Sequence, residues 1–232
     1  MKLVALRFQG VGPYRDEFAI DFAALSAGHM FLIDGETGAG KTTILDCITF
    51  ALYGSISGNS DGRGVGGRGR IRSRFLSASP EETYVDLIFR IGDDYYEILR
   101  RPDYDRPKRR GEGVTHNPAS ARMLHLDRGL DVLVDESRTA AMDGGLDGGN
   151  DAERYFAYAQ EPGHATVVTT SVREVTGEVE RLLGLDRGQF SKTVILAQGR
   201  FAEFLRMKPE DRTALVRDLF SAEEYEEIQK SL

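Results

Sequence analysis

The sequence predicts an α/β fold. An antiparallel β-meander and a central mixed sheet surround one glycine-loop helix, and a helical lobe follows from Ser171 onward. Three observations predict it. Alternating apolar runs fill the N-terminal and middle stretches; a glycine-rich loop stands between an apolar run and a helical run; and the apolar period changes from two to the helical value after Ser171.

The elements follow in chain order. Met1–Phe8 and Glu17–Phe22 read as strands joined by the turn residues Gly10–Tyr14, and in the second Phe18, Ile20 and Phe22 alternate with Glu17, Ala19 and Asp21. His29–Ile33 reads as a buried strand entering the glycine loop, and Thr43–Tyr53 as a helix leaving it, stopped by Gly54. Thr83–Ile91 and Tyr95–Arg101 form a hairpin about Gly92-Asp93-Asp94. Pro102–Gly113 reads as a basic loop, and Arg122–Asp127 with Asp131–Asp135 as a second hairpin. Residues 138–165 show no period and hold an acidic glycine-rich run. They read as a mobile insertion, or as an engineered or lineage-specific one. Ser171 to Glu174 fits a capping box for a helix with Val172, Val175, Val179, Leu182 and Leu183 on one face. Asp186 caps a second helix running to Leu196. The charged run from Ser221 has no stop signal, so the chain is expected to end within a running helix.

Composition bounds the function. At 232 residues, 41% hydrophobic and net charge −7, the chain suits one core with an appendage and is not a uniformly basic nucleic-acid coat. No apolar run approaches membrane-spanning length, and the first residues do not form a secretory signal. The single cysteine, Cys47, excludes an intramolecular disulfide and points to a reducing cytoplasm. A core-filling side chain is favoured over a redox switch.

Gly35 to Thr42 fits the pattern G-x-x-x-x-G-K-[ST]. Glycines let backbone N–H groups converge on an anion, and the following helix N-terminus adds further donors. The candidate nucleotide-binding residues are Gly35, Glu36, Thr37, Gly38, Ala39, Gly40, Lys41, Thr42 and Thr43. Lys41 is placed to meet the β- and γ-phosphate oxygens and the Thr42 hydroxyl to ligate Mg²⁺, which implies a phosphate-bearing nucleotide with Mg²⁺. Arg63, Arg68, Arg70, Arg72 and Arg74, with Arg106, Lys108, Arg109 and Arg110, form two basic stretches. Each reads either as a solvated face or as a contact for a polyanion such as double-stranded DNA. The histidines are scattered without metal-ligand spacing.

Three segments together resemble the N-terminal ATPase head segment of the SbcC family, bacterial relatives of Rad-fifty in the SMC-like branch of ABC-type ATPases. They are Asp34–Thr43 followed by Ala51–Gly54, Arg100–Gly111, and Phe190–Phe201. The resemblance covers nearly the whole chain except Arg138–Ala165. It implies the N-terminal half of an ABC/SMC-type head, with ATP as the nucleotide and Gln198 as the Q-loop glutamine that completes the Mg²⁺ shell or positions the attacking water. Lys41 and Gln198 are then the catalytic candidates. It implies a nucleotide-binding lobe at 1–137, the insertion at 138–165, a helical Q-loop segment at 166–206, and the start of a coiled coil at 207–232. The signature motif, Walker B residues and switch histidine of that family lie after the coiled coil. The implied partners are therefore the C-terminal half of the same polypeptide, a second head, the SbcD nuclease subunit and DNA, in the cytoplasm at the nucleoid. The 232 residues alone are expected to lack turnover.

Two other functions compete. A stand-alone P-loop enzyme would need an acidic metal-binding strand, for which Val132–Glu136 is the only candidate; its place before Gln198 favours a hairpin strand instead. A non-catalytic chromosome tether would share the ATP site but not the nuclease partner.

Overall fold

The structure, a computed structural model, describes residues 1–56, 71–77, 79, 81–108, 112–144 and 151–194. Two compact units divide the chain, Met1–Leu183 and Gly184–Leu232.

The first unit is built on a six-stranded sheet. Its strands are β1 (Lys2–Gln9), β2 (Phe18–Asp21), β3 (Tyr84–Ile91), β4 (Asp94–Arg101), β7 (Ser120–Leu126) and β8 (Ala165–Thr169), in the order β2-β1-β3-β4-β7-β8. Every pairing between neighbours is antiparallel. The β3–β4 turn falls where Gly92-Asp93 marks it, with Gly92 in the left-handed region at φ 59°. On one face lies α2 (Lys41–Tyr53), ended by Gly54 in the left-handed conformation at φ 72°. With α2 goes α5 (Val172–Leu183), whose Val175 and Val179 are buried as its stripe predicts. Ser171 makes one half of its capping box, its Oγ lying 3.5 Å from the Glu174 N–H. The Glu174 carboxylate instead accepts from Thr169 Oγ1 at 2.5 Å.

The short helix α1 (Phe22–Leu25), α3 (Leu130–Met142) and α4 (Ala152–Gln160) contribute to a second apolar cluster. Ala152, Tyr155, Phe156 and Ala159 of α4 are buried there with Val4, Ala5, Ile88 and Leu124 of the sheet. Asp21 ties these helices together. Its Oδ1 caps α1 by accepting from the Ala24 N–H at 2.9 Å, and its Oδ2 accepts from Ser137 Oγ at 2.5 Å and from the Tyr155 hydroxyl at 3.0 Å.

Four sequence expectations are corrected. Residues 30–36 form no strand, and Met30 and Leu32 are each 87% exposed; the apolar run finds no neighbouring strand to pair with among the described residues. Asp131–Asp135 belongs to α3, because Leu130, Val134 and Ser137 share one buried helical face. Pro102–Gly113 is not all loop: β5 (Tyr104–Pro107) pairs with β6 (Val114–Asn117) as a two-stranded hairpin. The segment 138–165, expected to be without regular structure, holds the end of α3 and all of α4, which its buried tyrosine and phenylalanine anchor. Residues 145–150 of its glycine-rich run lie outside the described residues.

In the second unit the described part is α6 (Arg187–Thr193). Asp186 and Gln189 form a complete capping box, each side chain accepting from the other's backbone N–H at 2.9 Å. The expected coiled-coil start at 207–232 lies outside the described residues.

Candidate functional site

The glycine loop has the backbone that its glycines predict. Gly38 and Gly40 sit at φ 89° and 98°, and Gly35 at φ 155°, where side chains are disfavoured. The Ala39 N–H donates to the Glu36 carbonyl at 3.2 Å, closing a turn, and α2 begins at Lys41 directly after Gly40. A side chain at Gly38 would meet nothing within 4 Å, so that part of the loop faces open space. The Lys41 ammonium bends over the loop, donating to the carbonyls of Gly35 and, at 2.9 Å, of Glu36. Thr42 is exposed in the first turn of α2, and Thr43 turns toward Gly12.

The loop has a backing built from residues that the sequence marks only as a turn. A Cβ at Gly40 would lie 2.6 Å from Tyr14 Cε2 and 2.8 Å from Pro13 Cγ, and one at Gly12 would lie 2.9 Å from Thr43 Cγ2. Tyr14 stacks edge-on against Phe8 at 5.0 Å, which fixes its ring against the loop. Burial pushes the Tyr14 hydroxyl above its ordinary range, with a smaller contribution from Cys47. The signal in the sequence was the pairing of Gly12-Pro13 with a glycine directly before the lysine: each removes a Cβ where two chain segments touch.

Residues 71–73 run beside this backing. Gly12 N–H donates to the Ile71 carbonyl at 3.1 Å, and Ser73 N–H to the Gly10 carbonyl at 2.7 Å. Arg72, expected among the DNA contacts, points inward and is 8% exposed. Its guanidinium donates to the carbonyls of Leu76, Ser79 and Glu81 at 2.9 to 3.0 Å and to Thr83 Oγ1 at 2.6 Å, and it covers the Tyr104 ring at 4.2 Å. It holds the base of the β5–β6 hairpin against this segment and leaves no face for a phosphate. Arg74 and Lys108 are exposed. Arg63, Arg68, Arg70, Arg109 and Arg110, and the Q-loop candidate Gln198, lie outside the described residues.

At the far end of α2 stands Arg100, which is 1% exposed. Its Nε donates to the Ala51 carbonyl at 2.6 Å, and Nη2 to the Leu52 carbonyl and Thr176 Oγ1, each at 3.0 Å. These groups complete the open C-terminal carbonyls of the helix that starts at Lys41. Burial pushes Arg100 down to about 10, which leaves it charged at neutral pH. Cys47, in the same helix, is buried, and burial raises its thiol well above the usual range; it is a core side chain.

Val132–Glu136 is not a metal-binding strand. Asp135 and Glu136 are exposed on α3, and Glu136 accepts from Arg154 at 2.8 Å. The stand-alone enzyme loses its one acidic candidate. No group of metal-ligating side chains occurs among the described residues, and no described helix is long and apolar enough to cross a membrane.

A glycine loop, a lysine bent across it and a helix directly behind it stand together. The family described as an AAA domain matches residues 5–232. This chain belongs to the AAA domain family. It is an α/β P-loop ATPase domain in which an antiparallel sheet carries the loop helix. The chain is 31% identical over its whole length to the SbcC subunit of the SbcCD nuclease of Vibrio cholerae, covering 19% of that protein. It is 30% identical to the protein of that name from Lactococcus lactis, over 95% of the chain and 17% of the relative. The Bacillus subtilis protein of that name is 28% identical over 97% of the chain and 16% of its own length. The chain spans less than a fifth of the length of these relatives.

Proposed function

We propose that this chain is the N-terminal half of the ATPase head of an SbcCD-type double-strand-break repair complex. In this reading the head binds ATP with Mg²⁺ and drives DNA binding and gating of the SbcD nuclease. The observation that carries the reading is the loop Gly35–Gly40, sealed from behind by Tyr14 and continued directly into α2.

The residues present fit a nucleotide triphosphate. The positive-φ glycines allow backbone N–H groups to converge on an anion, the N-terminus of α2 adds its dipole, and Lys41 needs only to exchange two carbonyls for phosphate oxygens. Thr42, exposed beside it, supplies a hard oxygen for Mg²⁺. Bound Mg²⁺ neutralises charge on the phosphates; Lys41 and the loop amides orient them. Gln198 is assigned the remaining metal position or the attacking water. It cannot complete the acid–base chemistry by itself, because a neutral amide neither accepts nor releases a proton at working pH. The groups that do so are assigned to the C-terminal half of the same polypeptide and to a second head. SbcD and double-stranded DNA are the further partners, the latter through exposed basic side chains such as Arg74 and Lys108, at the nucleoid in the cytoplasm.

The test is Mg²⁺-ATP binding and hydrolysis by this chain over a concentration series, with Lys41→Ala as control. Lys41-dependent binding without turnover is the expected result. Lys41-dependent turnover that does not vary with concentration would overturn the half-head assignment.

A further inference from the structure

We infer a second ligand site in this protein: a pocket for a small anion carried on an apolar body, built between β1, α1 and α3. The cavity measures about 340 Å³, within the lower range of small-molecule sites. None of the loop residues Gly35–Thr43 is among its lining residues. Lys2 and Leu3 of its lining stand at the start of β1, whereas Gly12 and Tyr14, which touch the loop, follow the end of that strand. The lining comes nearer to the loop at Phe31, which stands four residues before Gly35, at most about 14 Å along an extended chain.

The lining combines apolar and cationic side chains. Phe22 and Phe31 form one wall, their rings 5.8 Å apart and tilted by 40°, and Val134 of α3 contributes to the lining as well. Lys2, Arg90, Arg138 and His29 also line the cavity, and no carboxylate is among its lining residues. Arg90 is already engaged, donating to Asp93 at 3.0 Å and to Asp131 at 3.3 Å. Arg138 is not: its Nε is buried and has no hydrogen-bond partner among the described residues. That nitrogen admits no solvent, so a bound anion meets the rest of the guanidinium, which has no ion-pair partner among the described residues. Val134 and Arg138 lie one helical turn apart on α3, so one face of that helix offers both an apolar contact and a charge. An aryl phosphate or aryl carboxylate meets both demands. A bare inorganic anion would leave the aromatic wall unused, and a neutral arene would leave Arg138 unpaired.

The site is tested with 1-naphthyl phosphate as the probe, titrated by calorimetry against the 232-residue chain, with 1-naphthol as the neutral control. Saturable binding of the phosphate, at least about tenfold tighter than that of the naphthol, is expected. Arg138→Gln and Lys2→Gln should each weaken it several-fold without changing the melting temperature by more than a degree or two, since both side chains reach the surface. Lys41→Ala and saturating Mg²⁺-ATP should leave it unchanged, which separates this site from the nucleotide reading. Equal affinity for the naphthol, indifference to both substitutions, displacement by ATP, or no binding at all would each overturn the proposal.

Discussion

Arg100 Nε donates to the Ala51 carbonyl at 2.6 Å, so a residue in the middle of the sheet closes the end of the helix that begins at the phosphate loop. The same guanidinium reaches Thr176 of α5 at 3.0 Å, joining strand, loop helix and α5 through one planar group. None of its hydrogen-bond acceptors is a carboxylate: they are the carbonyls of Ala51, Leu52 and Val172 and the Thr176 hydroxyl. The positive charge is held by the negative end of the α2 dipole.

Replacing Arg100 therefore tests geometry more than charge. Arg100→Lys keeps the charge but cannot reach several acceptors at fixed angles, leaving buried carbonyls open. A loss of about 2–4 kcal/mol is expected for Lys, and a similar loss for Met, read by urea denaturation. A lysine variant as stable as the parent would show that charge alone suffices.

The backing of the loop yields a steric prediction. Gly38 and Gly40 both take left-handed φ, so alanine strains either by about 1–2 kcal/mol. Only at Gly40 does the new methyl run into Pro13 and Tyr14. Gly40→Ala should therefore weaken ATP binding by more than tenfold beyond Gly38→Ala, with a further stability loss of about 1–3 kcal/mol from overpacking. Equal effects of the two substitutions, in fluorescent-nucleotide titrations, would remove Tyr14 from the account of the site.

Arg72 and Arg74 belong to one basic stretch, yet the fold gives them different work. Arg72→Ala should lower stability by about 2–4 kcal/mol, since three backbone carbonyls and Thr83 lose their donor. Arg74→Glu should leave the melting temperature near that of the parent, lower duplex affinity and reduce the slope of log affinity against log salt. An unchanged salt slope for Arg74→Glu would argue against this surface as the DNA contact.

This pair shows what the sequence could and could not convey. Loop and helix were legible because their residue types have few other uses: three glycines around a lysine and a glycine stop describe their own backbone. The β3–β4 hairpin and the Asp186 cap were legible for the same reason. The strand expected at His29–Ile33 failed because an apolar run states that burial is wanted, not that a neighbour exists to supply it. Val132 and Val134 alternate as in a strand, but Leu130, Val134 and Ser137 share a buried face on α3, and the hydrogen bond from Ser137 to Asp21 is remote in sequence. In α4 the spacing of Ala152, Tyr155, Phe156 and Ala159 is helical, and the glycine-rich run before it hid the pattern. Arginine composition alone could not tell Arg72 from Arg74, since burial of a guanidinium depends on carbonyls brought together by the fold.

The last prediction concerns Asp86, whose carboxylate accepts from Arg7 at 3.0 Å in the middle of the sheet. Burial, and then the charge of the neighbouring Glu97, raise its carboxyl well above the usual range, against the smaller opposing pull of Arg7. An unfolded aspartate titrates at about 3.9. Over the window from there up to the raised folded value, the folded chain holds a proton that the unfolded chain releases. Stability from this group is therefore complete below the window and falls as pH rises through it, by up to about 1.4 kcal/mol per unit. Asp86→Asn removes the titration while its amide oxygen still accepts from Arg7. Relative to the parent, the variant should gain stability between pH 4.5 and 7.5 in urea denaturation. A difference between the two proteins that is constant across that range would mean that Asp86 stays ionised beside Arg7 in the folded chain.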